Sequence, residues 1–193
     1  MTVAIIDCGG ANLRSVQNAV ELRNMDTIIT KDKNEVTSAS FVILPGVGSA
    51  KSVMARLGID NLRDAVISHK KPVLGICVGM QVLFESSEEH DTSCLGVISG
   101  NIKKFNSECD LKVPQMGWNK VTFLQDNAKN LDDYYYFANS YYTDNDDYAV
   151  GHSYYGKKIN SIVKKDNFLG CQFHPEKSSD IGEKFIKNFI NLV

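Results

Sequence analysis

A chain of 193 residues with 43% hydrophobic and 23% charged residues has an ordinary globular composition, and its length fits one domain spanning residues 1–193. Its 21 basic and 23 acidic residues give a formal charge of -2, which argues against nucleic acid or an anionic membrane as a partner. No apolar run approaches the roughly 18 residues that cross a bilayer, and the first residues lack a secretory signal, so we expect a cytoplasmic protein.

The first half of the chain alternates short apolar runs rich in β-branched residues with amphipathic segments. Strands are predicted at residues 3–6, 27–30, 41–44 and 72–76, and helices at 12–23, 61–68 and from residue 80 onward. The run at 72–76 is continuously apolar, which is typical of a central strand covered on both faces. Alternation of strands and helices predicts a parallel α/β sheet.

The second half of the chain is richer in strands. They are predicted at residues 102–105, 120–123, 134–137, 159–163 and 168–173, with several antiparallel pairs. A last amphipathic helix at 180–192 carries apolar residues at close to helical spacing: Ile181, Phe185, Phe189 and Leu192. We therefore expect a mixed, mostly parallel sheet flanked by helices.

A candidate nucleophile lies where the strand at 72–76 ends. The segment Gly75-Ile76-Cys77-Val78-Gly79 has the form of a nucleophile elbow, with cysteine in the place of serine. Flanking glycines permit the tight turn, and a helix amino terminus favours the reactive thiolate. A lone cysteine is more often a small buried apolar residue, but the two glycines favour a nucleophile.

A candidate base and its orienting group follow the strand at 168–173. His174 and Glu176 are two residues apart and would share a face of an extended chain, and Pro175 disfavours a helix there. The histidine could then contact the thiol of Cys77 with one ring nitrogen while the glutamate binds the other. This arrangement is the triad of an acyl-transfer enzyme.

These segments resemble a known family. Gly-Ile-Cys-Val-Gly-Met-Gln at 75–81 and Gln-Phe-His-Pro-Glu-Lys-Ser at 172–178 are similar to the two signatures of the class I glutamine amidotransferases. The similarity extends to Pro45-Gly46-Val47-Gly48, Leu83-Phe84-Glu85, Glu88-Glu89, Pro114, Met116-Gly117-Trp118-Asn119 and Ser140-Tyr141-Tyr142. Together they resemble the glutaminase subunits of imidazole glycerol phosphate synthase, an enzyme of histidine biosynthesis.

The resemblance implies a flavodoxin-like three-layer fold and hydrolysis of L-glutamine, with the ammonia passed to a (β/α)8 barrel cyclase in a heterodimer. It implies substrate contacts from Gly48, Gln81, Glu89, Ser140 and Tyr141. An oxyanion hole is expected from the backbone N–H groups of Val47 and Val78. The positions matched to the partner contact are Asn12, Trp118 and Lys177.

The sequence departs from the family pattern at four positions. Cys8 and Ala11 stand in the first loop, where the pattern has Tyr and Gly, and Gln115 and Asn139 stand where it has histidines. Because these positions fall near the expected partner face or the pocket rim, they concern the ammonia acceptor rather than the triad. A paralogue that supplies ammonia to a cell-surface sugar is therefore an alternative.

Other classes of function have weaker support. Gly9 follows the first strand, but Ala11 and Arg14 occupy the other glycine positions of a dinucleotide fingerprint, which disfavours a nucleotide-binding module. A catalytically dead scaffold is disfavoured because nucleophile and base are both present.

No metal or cofactor is predicted from the cysteine and histidine spacings. The five cysteines form no CxxC pair, which argues against a disulfide framework or a zinc site. His69, His90 and His152 show no metal-ligand spacing, and we interpret them as surface residues.

Overall fold

The computed structural model describes residues 1–9, 13–21, 25–46, 48–106 and 111–192. The strands are β1 (Thr2–Ile6), β2 (Asp26–Thr30), β3 (Phe41–Leu44), β4 (Val73–Ile76), β5 (Ser86–Ser87), β6 (Thr92–Ser93), β7 (Asn101–Lys104), β8 (Gln115–Phe123), β9 (Asp133–Asn139), β10 (Tyr141–Tyr142), β11 (Ala149–Tyr155), β12 (Lys157–Lys165) and β13 (Phe168–Cys171). The helices are α1 (Leu13–Glu21), α2 (Lys33–Ser38), α3 (Ala50–Leu57), α4 (Leu62–Ile67), α5 (Val78–Gln81) and α6 (Ser179–Leu192).

A nine-stranded sheet forms the centre, in the order β2-β1-β3-β4-β13-β12-β11-β8-β9. The pairs from β2 to β13 are parallel, and the pairs from β13 to β9 are antiparallel. A smaller sheet contains β10, β7, β5 and β6. The prediction of an α/β fold with a mixed central sheet is confirmed. The expected parallel majority is wrong, because all the pairs from β13 to β9 are antiparallel.

Three of the parallel strands, β1, β3 and β4, are deeply buried. Residues 3–6, 42–44 and 73–74 are each 0% exposed, as expected for strands covered on both faces. The helices pack in two groups, with α1 against α6 and α2 against α4. None of the helices within the described ranges is long and apolar enough to span a membrane.

Several predicted boundaries were wrong. Strand β8 begins at Gln115 rather than at residue 120, because Gly117, with a φ of +125°, lies inside the strand although glycine usually signals a turn. The last central strand ends at Cys171 rather than at residue 173. The helix expected from residue 80 begins at Val78 and is only one turn long. Helices α2 and α3 and strand β11 were not predicted.

A cluster of aromatic rings lies beside the segment that carries His174. The ring of Phe173 lies 4.1 Å from that of Tyr135 on β9 and 5.1 Å from that of Phe185 on α6, measured between centroids. All three side chains are fully buried. Because Phe173 directly precedes His174, this packing fixes where the chain leaves β13.

Candidate active site

The turn at Cys77 has the strained geometry of a nucleophile elbow. Cys77 has φ 52° and ψ -110°, a conformation that L-residues rarely adopt, between the last residue of β4 and the first of α5. Glycines make the turn possible. A Cβ on Gly79 would lie 1.9 Å from the carbonyl oxygen of Leu44, and one on Gly46 would lie 2.3 Å from the backbone nitrogen of Val78. The backbone of the 45–46 turn therefore packs directly against the elbow.

The segment after Phe173 brings the histidine to this elbow. His174 Nδ1 lies 2.8 Å from Glu176 Oε1, and both side chains are buried. The chain is not extended here as predicted, because residues Pro175–Lys177 form a turn of 3₁₀ helix. Proline is favoured at the first helical position, where its missing N–H costs no hydrogen bond. The turn itself therefore brings the Glu176 carboxylate to the imidazole.

Backbone hydrogen bonds fix this segment to β9. The N–H of His174 donates to the carbonyl of Tyr136 at 2.8 Å. The hydroxyl of Ser178 donates to the carbonyl of His174 at 2.6 Å and accepts from the N–H of Tyr136 at 2.9 Å. Hydrogen bonds thus hold both the backbone N–H and the backbone carbonyl of His174.

The imidazole of His174 contacts both other members of the predicted triad. Burial acts to lower the pKa of His174, but hydrogen bonds to Cys77 and to Glu176, together with the charges of those groups, outweigh it and raise the pKa to about 10. At neutral pH the ring therefore carries a proton, which it can give to a leaving group. The structure brings together the three residues that the sequence analysis predicted.

A cavity of about 250 Å³ opens directly over Cys77. It is lined by Gly48, Cys77, Val78, Gln81, Glu89, Pro114, Met116, Ala138, Asn139, Ser140 and Tyr141. All five positions predicted to contact substrate are among these residues. Met116 and Ala138 were not assigned to the pocket from the sequence, although alternation along two paired strands, in which they stand opposite one another, could have placed them on its wall.

Two of the lining residues have hydrogen bonds that determine how they face the cavity. The carboxylate of Glu89 accepts from the backbone N–H of Ala50, the first residue of α3, at 2.6 Å. The side chain of Gln81, which is 1% exposed, donates to the carbonyl of Tyr141 at 3.2 Å and to the side-chain oxygen of Gln172 at 2.9 Å. These contacts orient both side chains before any substrate binds.

Of the two predicted oxyanion donors, the structure describes Val78 but not Val47. Val78 lines the cavity and opens α5, where a backbone N–H has no intrahelical acceptor. Val47 lies outside the described residues. Of the two predicted donors, Val78 lies beside the candidate nucleophile.

The departures at Gln115 and Asn139 lie directly opposite one another. They form a pair in the β8–β9 register, and both side chains are buried. Among the described residues, neither Gln115 Oε1 nor Asn139 Oδ1 has a hydrogen-bond partner. Two departures that are separate in the sequence therefore form one local change at the pocket.

Two of the three predicted partner-facing residues, Trp118 and Lys177, are described by the structure, and both are exposed. Trp118 is 54% exposed, and its ring meets that of Tyr136 edge to face. The ammonium group of Lys177 lies 5.8 Å from the centroid of the same tyrosine ring. Met116, which lines the pocket, is exposed on the same strand. Asn12 lies outside the described residues, as does the departure at Ala11, while the Cys8 departure is buried.

One interpretation of the histidines was wrong. His69 is only 5% exposed rather than a surface residue, because it lies where α4 runs into β4 and its backbone carbonyl accepts from Asn167. Burial lowers its pKa, so the ring is neutral near pH 7. His90 is exposed, and His152 is partly buried on β11.

Comparison with known proteins agrees with this geometry. Residues 4–192 match the family model described as "Glutamine amidotransferase class-I", and the chain belongs to that family. Within it, the chain is 44% identical to imidazole glycerol phosphate synthase subunit HisH 2 of Legionella pneumophila strain Paris over 98% of both chains. It is 43% identical to subunit HisH of Methanocaldococcus jannaschii over 99% of this chain and 100% of that one. The family prediction is confirmed.

The fold has relatives among solved structures as well. A crystal structure described as glutamine amidotransferase superimposes with a TM-score of 0.77, at 15% identity, over 99% of each chain. At that identity the likeness concerns the fold alone. It agrees with an α/β sheet flanked by helices.

Proposed function

We propose that this chain is the glutaminase subunit of imidazole glycerol phosphate synthase. It hydrolyses L-glutamine to glutamate and ammonia, and the ammonia passes to a cyclase subunit that makes imidazole glycerol phosphate and AICAR in histidine biosynthesis. The contact of His174 with both Glu176 and Cys77, which lines a cavity, carries the chemistry. The full-length similarity to HisH subunits carries the pathway.

In the first half-reaction the thiolate of Cys77 attacks the side-chain amide carbon of glutamine. A carbon–sulfur bond forms, and the carbonyl electrons move to oxygen to give an oxyanion. The backbone N–H groups of Val78 and Val47 are the proposed donors to it. As the oxyanion collapses, the carbon–nitrogen bond breaks and the His174 imidazolium gives its proton to the leaving nitrogen. Ammonia departs, and a glutamyl thioester remains.

The second half-reaction needs His174 as a base, although it begins as an acid. The contacts with Cys77 contribute to its raised pKa, and they change when the sulfur becomes a neutral thioester. Having given its proton to ammonia, the imidazole is neutral and can take one from water. Water then adds to the thioester carbon, the carbon–sulfur bond breaks, and glutamate leaves. The thiolate and imidazolium are restored.

The remaining lining residues suit binding of the ammonium and carboxylate groups of glutamine. Glu89 accepts from Ala50 through one oxygen, and a carboxylate has further acceptor capacity for the ammonium group of the substrate. Gly48, Ser140 and Tyr141 line the same cavity and complete the proposed pocket. Gln81 donates its amide hydrogens inside the protein, so its contact to substrate would be made by its side-chain oxygen.

We further infer that the partner is a (β/α)8 barrel docked on the face that carries Trp118 and Lys177. Tryptophan is enriched among the residues that carry most of the binding energy of interfaces, and Trp118 is 54% exposed with Lys177 beside the neighbouring Tyr136 ring. Asn12 is assigned to the same interface by the family match.

We also propose that the chain is one glutaminase domain with a flavodoxin-like arrangement. The strand order β2-β1-β3-β4 supports this arrangement. The cytoplasmic location stays a prediction.

The direct test is to measure glutamate release by the chain alone, with an imidazole glycerol phosphate cyclase and its nucleotide ligand, and with a sugar-pathway synthase from the same cell. Weak activity alone and strong stimulation by the cyclase support the proposal, and Cys77→Ala should abolish both. Stimulation by the sugar-pathway synthase alone would mean that Gln115 and Asn139 mark the paralogue. Full activity without a partner would overturn the coupling.

A further inference from the structure

Gln172 is a buried polar residue that contacts the candidate nucleophile. Its side chain is 0% exposed, and its Nε2 group donates a hydrogen bond to Sγ of Cys77 at 3.6 Å. Gln172 directly follows Cys171, which pairs with Ile76 at the end of β4. Gln172 and Cys77 therefore leave neighbouring strands at the same edge of the sheet, and the contact is built into the topology.

A chain of hydrogen bonds determines which end of the Gln172 amide faces the sulfur. The carbonyl of Tyr141 can only accept, so Gln81 must present its NH₂ group there. The same NH₂ group donates to Gln172 at 2.9 Å, which requires Gln172 to present its oxygen. The NH₂ group of Gln172 is then directed at Cys77. One backbone carbonyl thus orients two amides in succession.

We propose that Gln172 is a positioning residue of the glutaminase reaction, which holds the Cys77 sulfur as an oriented thiolate and joins it to Gln81 on the pocket wall. This role rests on the proposed function, because it assumes that the chain hydrolyses glutamine. An N–H donor at the sulfur favours the charged form over the neutral thiol. It also restricts rotation of the Cys77 side chain, so that the sulfur keeps its direction when His174 gives up its proton.

The test measures alkylation of Cys77 by iodoacetamide across a pH series, without glutamine or any partner, by quantifying the Cys77 peptide in a mass spectrometer. Gln172→Met keeps the length of the side chain and removes the donor. Its alkylation midpoint should move up by about one pH unit, as expected for loss of a hydrogen bond to a charged group. Gln172→Glu adds a negative charge and should move the alkylation midpoint further upward. The matched control Gln125→Glu, in the loop before residues Asp126–Leu131, should move nothing.

A second measurement separates positioning from a packing role. With a stimulating partner, Gln172→Met should lower kcat about tenfold or more while KM changes less than twofold, because the donor acts on the reacting sulfur. An unchanged alkylation midpoint in folded Gln172→Met overturns the proposal. Should both Gln172 variants fail to fold, Gln81→Met decides it: an upward shift supports the proposal, and no shift overturns it. Since alkylation needs no glutamine turnover, failure of the proposed function would show separately, as a wild-type chain inactive with every partner.

Discussion

In the proposed mechanism, both half-reactions depend on His174. Its backbone is tied to Tyr136 and Ser178, and its ring to Glu176 at 2.8 Å. A histidine fixed in this way needs no rearrangement to change from acid to base, because the change comes from the sulfur that it faces. Glu176 keeps the ring oriented and favours its protonated form.

Replacing Glu176 with Gln should therefore alter the pH profile as well as the rate. The imidazolium exists below the pKa of His174, which is about 10, so the wild-type activity should fall as pH rises through that value. Loss of the carboxylate lowers this pKa, and the alkaline limb should move down by about one to three units. We expect kcat to fall about a hundredfold. The measurement is glutamate release against pH with a stimulating partner, with Asp64→Asn on α4 as the control. An unmoved limb would contradict the role of Glu176.

Identity of the nucleophile can be read from covalent labelling. A glutamine-derived diazo ketone should bind in the cavity and alkylate Cys77, because that residue lines it. Peptide mass spectrometry should find one adduct, on Cys77, and labelling should vanish in Cys77→Ala but persist in Cys94→Ala. Cys94 is a suitable control because it is buried too, and burial together with the charge of Glu89 raises its pKa to about 11. An adduct on another cysteine would refute the assignment.

At the scale of elements, close contacts between backbone segments form the nucleophile elbow at Cys77. Strand β4, helix α5 and the turn after β3 approach so closely that Gly46, Gly75 and Gly79 leave no room for a Cβ. This close packing holds Cys77 in its strained conformation, since the surrounding backbone has no space to relax. The position of the sulfur is thus set by three segments together.

Gly79→Ala should show how much the fold depends on this contact. The added methyl would lie 1.9 Å from the carbonyl oxygen of Leu44, so the backbone must shift. We expect the free energy of unfolding to fall by about 2 kcal/mol or more, and glutaminase activity with it. Urea titration measures the first quantity. Gly58→Ala is the matched control, since its φ is -70° and its nearest neighbouring atom would be 3.5 Å away. Equal stability of the two variants would contradict the account of the elbow.

The sequence was informative wherever a local rule applied. Buried parallel strands were recognised because their residues are apolar without alternation, as in residues 3–6, and the elbow because its glycines have fixed spacing. Two local predictions were wrong. Proline was taken to disfavour a helix, but residues Pro175–Lys177 form a turn of 3₁₀ helix, and β8 begins at Gln115 rather than at residue 120. Gln172 and Cys77, which are in contact, are 95 residues apart in sequence. Such a contact depends on the strand order, which no local pattern contains.

At the scale of the whole molecule, the exposed face around Trp118 should be needed for coupling and not for folding. Trp118→Ala should weaken cyclase binding by about 2 kcal/mol, or roughly 30-fold in Kd, if the ring anchors the interface. Its unfolding free energy should stay close to that of the wild type, because the side chain is 54% exposed. Calorimetric titration with the cyclase measures the first effect. Ile59→Ala, also 54% exposed but next to α4, is the control. Equal binding by both variants would place the interface elsewhere.

The central claim is that ammonia made at Cys77 is delivered to a cyclase, and isotope transfer tests it most directly. The chain, the cyclase and the nucleotide ligand of the cyclase are incubated with glutamine labelled with ¹⁵N in its side-chain amide, in the presence of excess unlabelled ammonium. We expect imidazole glycerol phosphate to carry the label in its ring, and Cys77→Ala to remove the label while unlabelled product still forms from ammonium. Product that takes its nitrogen from the free ammonium pool with the wild-type chain as well would contradict the claim.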